Sequence, residues 1–154
     1  MTLFDAIQQQ DIAAARQLLT ARPELVHTRD ARGFPPLTLA TYSNNAELAT
    51  LLLDHGADLE APDARGGTAL MGVCFKGYDD LGRLLIERGA NVNAQTADGT
   101  TALAFAVLFD QLDCARLLLQ HGADPRLADA RGETPLAAAR AKGKLGLVKL
   151  MEAS

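Results

Sequence analysis

The chain has 154 residues, 15 lysines and arginines against 19 aspartates and glutamates, and a pI near 5.3. That acidic balance, a formal net charge of −4, argues against general affinity for nucleic acid or anionic membrane. No apolar run is long enough for a membrane span, and the opening Met-Thr-Leu-Phe-Asp-Ala has neither the basic residue nor the apolar segment of a secretory signal.

In chain order, the first segment, residues 1–29, reads Leu3-Phe4-Asp5-Ala6-Ile7 followed by Gln8, Gln9 and Gln10, with Leu18 and Leu19 beyond. It reads as an amino-terminal cap. A strict clock then begins. Gly33, Gly66, Gly99 and Gly132 fall 33 residues apart without insertion or deletion, and Gly56, Gly89 and Gly122 keep the same interval. Thr68, Thr101 and Thr134 obey it too, as do Leu37, Leu70, Leu103 and Leu136. A fixed period of this length marks a stacked repeat array whose binding surface is assembled from equivalent positions in successive units.

The full repeats span 30–62, 63–95 and 96–128. Each threonine precedes a short apolar run, where its hydroxyl can cap the first free N–H groups of a helix. Pro36 and Pro135 suit the first helical position. Pro35 takes the threonine's place in its repeat, and Pro36 after it favours the extended backbone a cap needs. The runs Ala46–His55, Leu81–Arg88 and Leu112–His121 are predicted as second helices, each ended by a glycine suited to the left-handed region. Leu51, Leu52, Leu84, Leu85, Leu117 and Leu118 recur in phase and are expected to form the core between neighbours. The last segment, 129–154, carries Lys142, Lys144 and Lys149, expected on a face in water. No linker or second domain interrupts the pattern, so the expectation is one domain over 1–154.

The residues around the glycines resemble a known family. Gly-Gly-Thr-Ala-Leu at 66–70, Gly-Thr-Thr-Ala-Leu at 99–103 and Asp-Ala-Arg-Gly-Glu-Thr-Pro-Leu at 129–136 alternate with Leu-Leu-Leu-Asp-His-Gly-Ala-Asp at 51–58, Leu-Leu-Ile-Glu-Arg-Gly-Ala-Asn at 84–91 and Leu-Leu-Leu-Gln-His-Gly-Ala-Asp at 117–124. Two motifs recurring in phase over nearly the whole chain resemble the ankyrin repeat. The resemblance implies an all-α solenoid in which each unit is a β-turn finger followed by two antiparallel helices. It names no partner, because one fold hosts many functions.

Catalytic chemistry is not expected. His55 and His121 occupy equivalent places in nonadjacent repeats, about two interhelical spacings of 8–10 Å apart, too far to share a metal or a proton. At helix C-termini they have a structural reason to be there. No nucleophile elbow, phosphate loop or zinc spacing stands out, and no cofactor is expected. Cys114 shares its column with Leu48, Leu81 and Leu147, and Cys74 shares its own with Thr41 and Val107. Both read as packing groups; a structural disulfide is not expected, and a reduced cytoplasmic setting is the simplest reading.

Binding is the better-supported class. The repeated Asp-Ala-Arg-Gly at 30–33, 63–66 and 129–132 reads first as turn chemistry, with Arg32 and Arg65 as rim contacts; Asp98 interrupts the series in the fourth unit. In ankyrin arrays the residue after the finger glycine, and the two that end the first helix, tend to face the concave surface. By that resemblance, those columns hold Phe34; then Tyr42, Phe75 and Leu108; then Lys76 and Phe109. Large aromatics at such positions suggest a binding hot spot rather than a solubility surface. The expected function is a non-catalytic module that binds a partner protein through Phe34, Tyr42, Phe75, Leu108 and Phe109, with Arg32, Arg65, Lys76 and Arg88 at the edges. A monomer is expected. The alternatives are self-association through the same stripe and, more weakly, a redox or small-molecule accessory role through the cysteines.

Overall fold

The computed structural model describes residues 1–154, with ten α-helices as its regular structure. Each repeat starts from a finger turn that is polar chemistry before it is anything else. Asp30 Oδ1 accepts the backbone N–H groups of Arg32 and Phe34, both at 2.9 Å. Asp63 does the same for Arg65 and Gly67, and Asp129 for Arg131 and Glu133. In the fourth unit, which lacks this aspartate, Thr96 Oγ1 takes the role and accepts from Thr100 N–H at 3.1 Å.

The first helices follow the fingers: α1 (Leu3–Gln8), α3 (Pro36–Tyr42), α5 (Ala69–Lys76), α7 (Ala102–Leu108) and α9 (Pro135–Ala141). Thr68, Thr101 and Thr134 cap the last three, accepting from Met71, Ala104 and Ala137 N–H. Pro35 holds the cap position of α3 at φ −67° and ψ 153° without a side-chain bond, and Pro36 opens the helix. The second helices run back along them: α2 (Ile12–Ala21), α4 (Ala46–Asp54), α6 (Asp79–Glu87), α8 (Leu112–Gln120) and α10 (Leu145–Glu152). In the third unit this helix begins at Asp79, two residues before the predicted start. The first unit adds a 3₁₀ turn over Pro23–His27 that the pattern did not predict.

Odd-numbered helices pack on odd and even on even, each against its immediate neighbours, so the chain is two layers of helices with the fingers along one edge. A single cluster of 32 buried residues runs through the stack. Leu52, Leu85 and Leu118, at equivalent positions, are each 0% exposed, and Leu51 and Leu117 are buried with them. Leu84 departs from expectation: it is half-buried and packs against the core, whereas its column partners Leu51 and Leu117 are buried.

Lys144 also departs from its expected place in water. Its side chain is 18% exposed, with Nζ 2.9 Å from Asp110 and donating to the Val107 carbonyl. Gln111, one period earlier, donates in the same way to the Phe75 carbonyl at 3.2 Å. The residue entering each of these second helices thus reaches back to the end of the preceding unit's first helix.

Fingers meet edge to edge. Gly99 has φ +83°, and a Cβ there would stand 2.8 Å from Asp129 Cα and 2.9 Å from Ala130 N. That approach lets Ala130 N–H donate to the Asp98 carbonyl at 2.9 Å. Gly99→Ala combines left-handed strain with a backbone collision and should destabilise by more than the roughly 1–2 kcal/mol of the strain alone, read by urea unfolding. Leu85→Ala, in the middle of the core, should cost about 2–5 kcal/mol as a cavity. A cost within about 0.5 kcal/mol, as at exposed sites, would show that the stack does not depend on it.

Candidate binding face

The face made by the fingers and the C-terminal ends of the first helices carries most of the sequence-nominated residues, in two groups. Phe34 follows the first full finger and Tyr42 ends α3. Their rings meet edge to face with centroids 5.9 Å apart. Tyr42 lies over Gly72 of α5, where a Cβ would come within 2.5 Å of its ring. The glycine makes the slot that accepts the ring. Burial, reinforced by Asp63 and opposed by Arg65, raises the Tyr42 phenol above its ordinary value. Arg32 lies 4.9 Å from the Phe34 ring centroid and Lys76 5.7 Å from that of Tyr42; both distances allow a cation–π contact.

The second group is more open. Phe75 near the end of α5 and Phe109 capping α7 pack edge to face at 4.3 Å, yet stay 45% and 40% exposed. Leu108 beside them is 50% exposed. Tyr42 and Phe75, which share a column with Leu108, each take an aromatic partner from another column. The aromatics of this face thus form two pairs, Phe34–Tyr42 and Phe75–Phe109.

Beyond Leu108 a trough of about 740 Å³ opens between the later fingers. Phe105, Leu108 and Ala138 supply apolar lining, and Arg65, Arg131 and Lys142 cationic side chains. The columns hold no mark of it. Phe105 was legible only as the residue one helical turn before Phe109, and the trough itself depends on how far apart successive fingers sit. Arg88 belongs elsewhere: it caps the far end of α6, away from the aromatic end of that helix pair, and pairs with Asp54 at 2.7 Å.

The remaining chemistry-bearing groups are committed to the scaffold. His55 Nδ1 and His121 Nδ1 each sit 2.9 Å from the carbonyl four residues back, Leu51 and Leu117. Cys74 and Cys114 are buried, as their columns implied, but they are also neighbours, with Sγ atoms 2.6 Å apart. No three His, Cys, Asp or Glu residues gather as metal ligands, and no helix is long and apolar enough to cross a membrane.

A family model described as ankyrin repeats (3 copies) matches residues 3–96 and again 83–153. The chain belongs to the ankyrin-repeat family. Ankyrin repeats are in general protein–protein interaction modules and are typically non-catalytic. The finger turns and helix pairs described above are the family's all-α solenoid in this chain.

The ankyrin fingers carry a pH signature. The Asp129 carboxyl is held below its ordinary 3.8 by the Glu133 N–H, against the opposing loss of water, with the Arg131 N–H and guanidinium adding to the lowering. Asp98 is lowered by the Thr96 and Thr100 hydroxyls. At Asp30 burial pushes upward, but the Phe34 and Arg32 N–H groups and the Arg32 guanidinium prevail and lower it. Carboxyls lowered in the folded state stabilise it fully above their unfolded value, and that contribution is lost as pH falls through the folded value. The melting temperature should therefore fall on acidification below about pH 4. Replacing Asp30 and Asp129 by Asn should flatten that fall, read by thermal melts across the acid range.

Proposed function

We propose that this ankyrin-repeat chain is a non-catalytic binding module, acting as one 154-residue unit and as a monomer in the cytoplasm. On this reading it takes a partner protein on its concave face, and neither nucleic acid nor membrane. The observation that carries the reading is the Phe75–Phe109 pair with Leu108: three large apolar side chains, 40–50% exposed, standing on short helix ends that the core holds rigid. A large aromatic covers about 150–250 Å² when fully buried. Two such platforms therefore supply the centre of a standard interface of about 800 Å² per partner.

The partner chemistry that fits is a segment with apolar side chains and an acidic flank. Arg32, Arg65 and Lys76 cluster around the Phe34–Tyr42 platform. Asp30 already takes the Arg32 guanidinium at 3.2 Å, and Asp63 accepts finger N–H groups, which leaves Arg65 and Lys76 as the freer cations. An incoming carboxylate would find donors there, while the apolar side chains cover Phe75, Leu108 and Phe109. Affinity should reside mainly in the apolar centre and association rate in the cations.

The test uses wild type and Phe75→Ala immobilised side by side. A protein held by the first and lost by the second is purified and titrated against both. Phe75→Ala should weaken that complex by about 2 kcal/mol or more, roughly thirtyfold, and should cost about 1 kcal/mol or less in stability. Equal affinity for wild type, Phe75→Ala and Leu108→Asp would remove this face as the site. If light scattering shows a concentration-dependent wild-type dimer that Phe75→Ala abolishes, the face is instead a seam between copies.

A further inference from the structure

The chain has two cysteines, and the fold brings them together from different repeats. Cys74 lies on α5 and Cys114 on α8, 40 residues apart in sequence, yet their Sγ atoms stand 2.6 Å apart. The pair is sealed, with exposures of 0% and 1%. The repeat register supplies its own comparison. One period earlier the same two columns hold Thr41 and Leu81, and one period later Val107 and Leu147, all buried. Packing at this junction is therefore met elsewhere by a small side chain and a leucine. Only the central junction places two sulfur nucleophiles against each other.

We infer that Cys74 and Cys114 form a modification site, a thiol pair that closes to an intramolecular disulfide on exposure to a hydroperoxide and reopens with a dithiol reductant. One sulfur attacks a peroxide oxygen, the O–O bond breaks and water leaves, giving a sulfenic acid. The second sulfur then displaces that hydroxyl as a second water. Two thiols and one hydrogen peroxide become one disulfide and two waters; sulfur is oxidised and peroxide oxygen reduced. Dithiol exchange through a mixed disulfide reverses it.

Burial sets the rate of the first step and the outcome of the second. The hydrogen bond that the Cys74 S–H shares with the Cys114 sulfur, and then loss of water, push the Cys74 thiol well above the ordinary range, so little Cys74 thiolate is present in the closed stack. Attack waits for local opening between the third and fourth units. Once one sulfur is oxidised, reclosure delivers the other to it ahead of further oxidation. The bond ties α5 to α8 beside Phe75, which follows Cys74 directly in the chain. The site does not depend on the partner-binding reading.

The full chain is reduced, then treated with hydrogen peroxide. The intact protein should lose two hydrogens in mass, stay monomeric on a non-reducing gel and show no thiol on unfolding. Its melting temperature should rise by about 8–15 °C, as expected for a closed loop of this size. Dithiothreitol should reverse all of this. Low urea, below the unfolding transition, should speed closure several-fold. The variant Cys74→Val with Cys114→Leu, carrying the residues of the neighbouring junction, should fold and melt independently of peroxide. Two free thiols after prolonged peroxide in low urea would overturn the inference. So would added oxygens or linked dimers in place of the lost hydrogens.

Discussion

Helices of six to ten residues are too short to persist in water by themselves, and each pair in this chain has an apolar face that only the next pair can cover. That dependence on a neighbour governs everything else. Leu52, Leu85 and Leu118 are fully buried because an adjacent unit lies on either side of each. Stability is then a chain of nearest-neighbour terms, and an uninterrupted 33-residue register is its geometric requirement. One inserted residue in a finger would turn a helix pair away from the surface it must meet.

The polar bonds between units follow the same rule on a smaller scale. Gln95 Nε2 donates to the finger it enters, at the Gly99 carbonyl, and to the start of the following finger, at the Ala128 carbonyl. Arg29, two periods earlier, does so at Gly33 and Pro62. Asn93 bonds both the Gly122 carbonyl and the Asp124 N–H. These contacts satisfy backbone groups that irregular finger segments would otherwise leave open. They also fix one finger against the next, which is why a trough between fingers has a defined shape.

Periodicity made the fold legible and left the pairings obscure. The caps Thr68, Thr101 and Thr134, the helix-ending glycines and the buried leucine columns were all readable, since each is decided within one unit or by repetition of a unit. Phe75 meeting Phe109, Tyr42 filling the Gly72 slot and Lys144 reaching Val107 each join residues of different columns in neighbouring units. A column alignment compares like with like and is blind to such diagonal contacts. Cys74 and Cys114 show the same limit. Each was assigned correctly to a buried column, yet their adjacency is a relation between two columns offset by a repeat. Leu84 is half-buried while its column partners Leu51 and Leu117 are buried, a difference that the column alone does not carry.

A rigid stack also explains why large apolar groups can remain at the surface. In a domain with mobile loops, Phe75, Leu108 and Phe109 would find cover by local collapse. Here Phe75 sits on a helix end whose carbonyl is held by Gln111, and Phe109 caps a helix followed directly by α8. The two rings cover one another in part and can go no further without breaking the register beneath them. Hydrophobic burial still to be gained there is available only to a second molecule. On the proposed binding reading, preorganisation would keep the entropic cost of that contact low. The constraint that builds the solenoid therefore also leaves its apolar ends unburied, and the particular side chains at those ends, rather than the fold, determine what they fit.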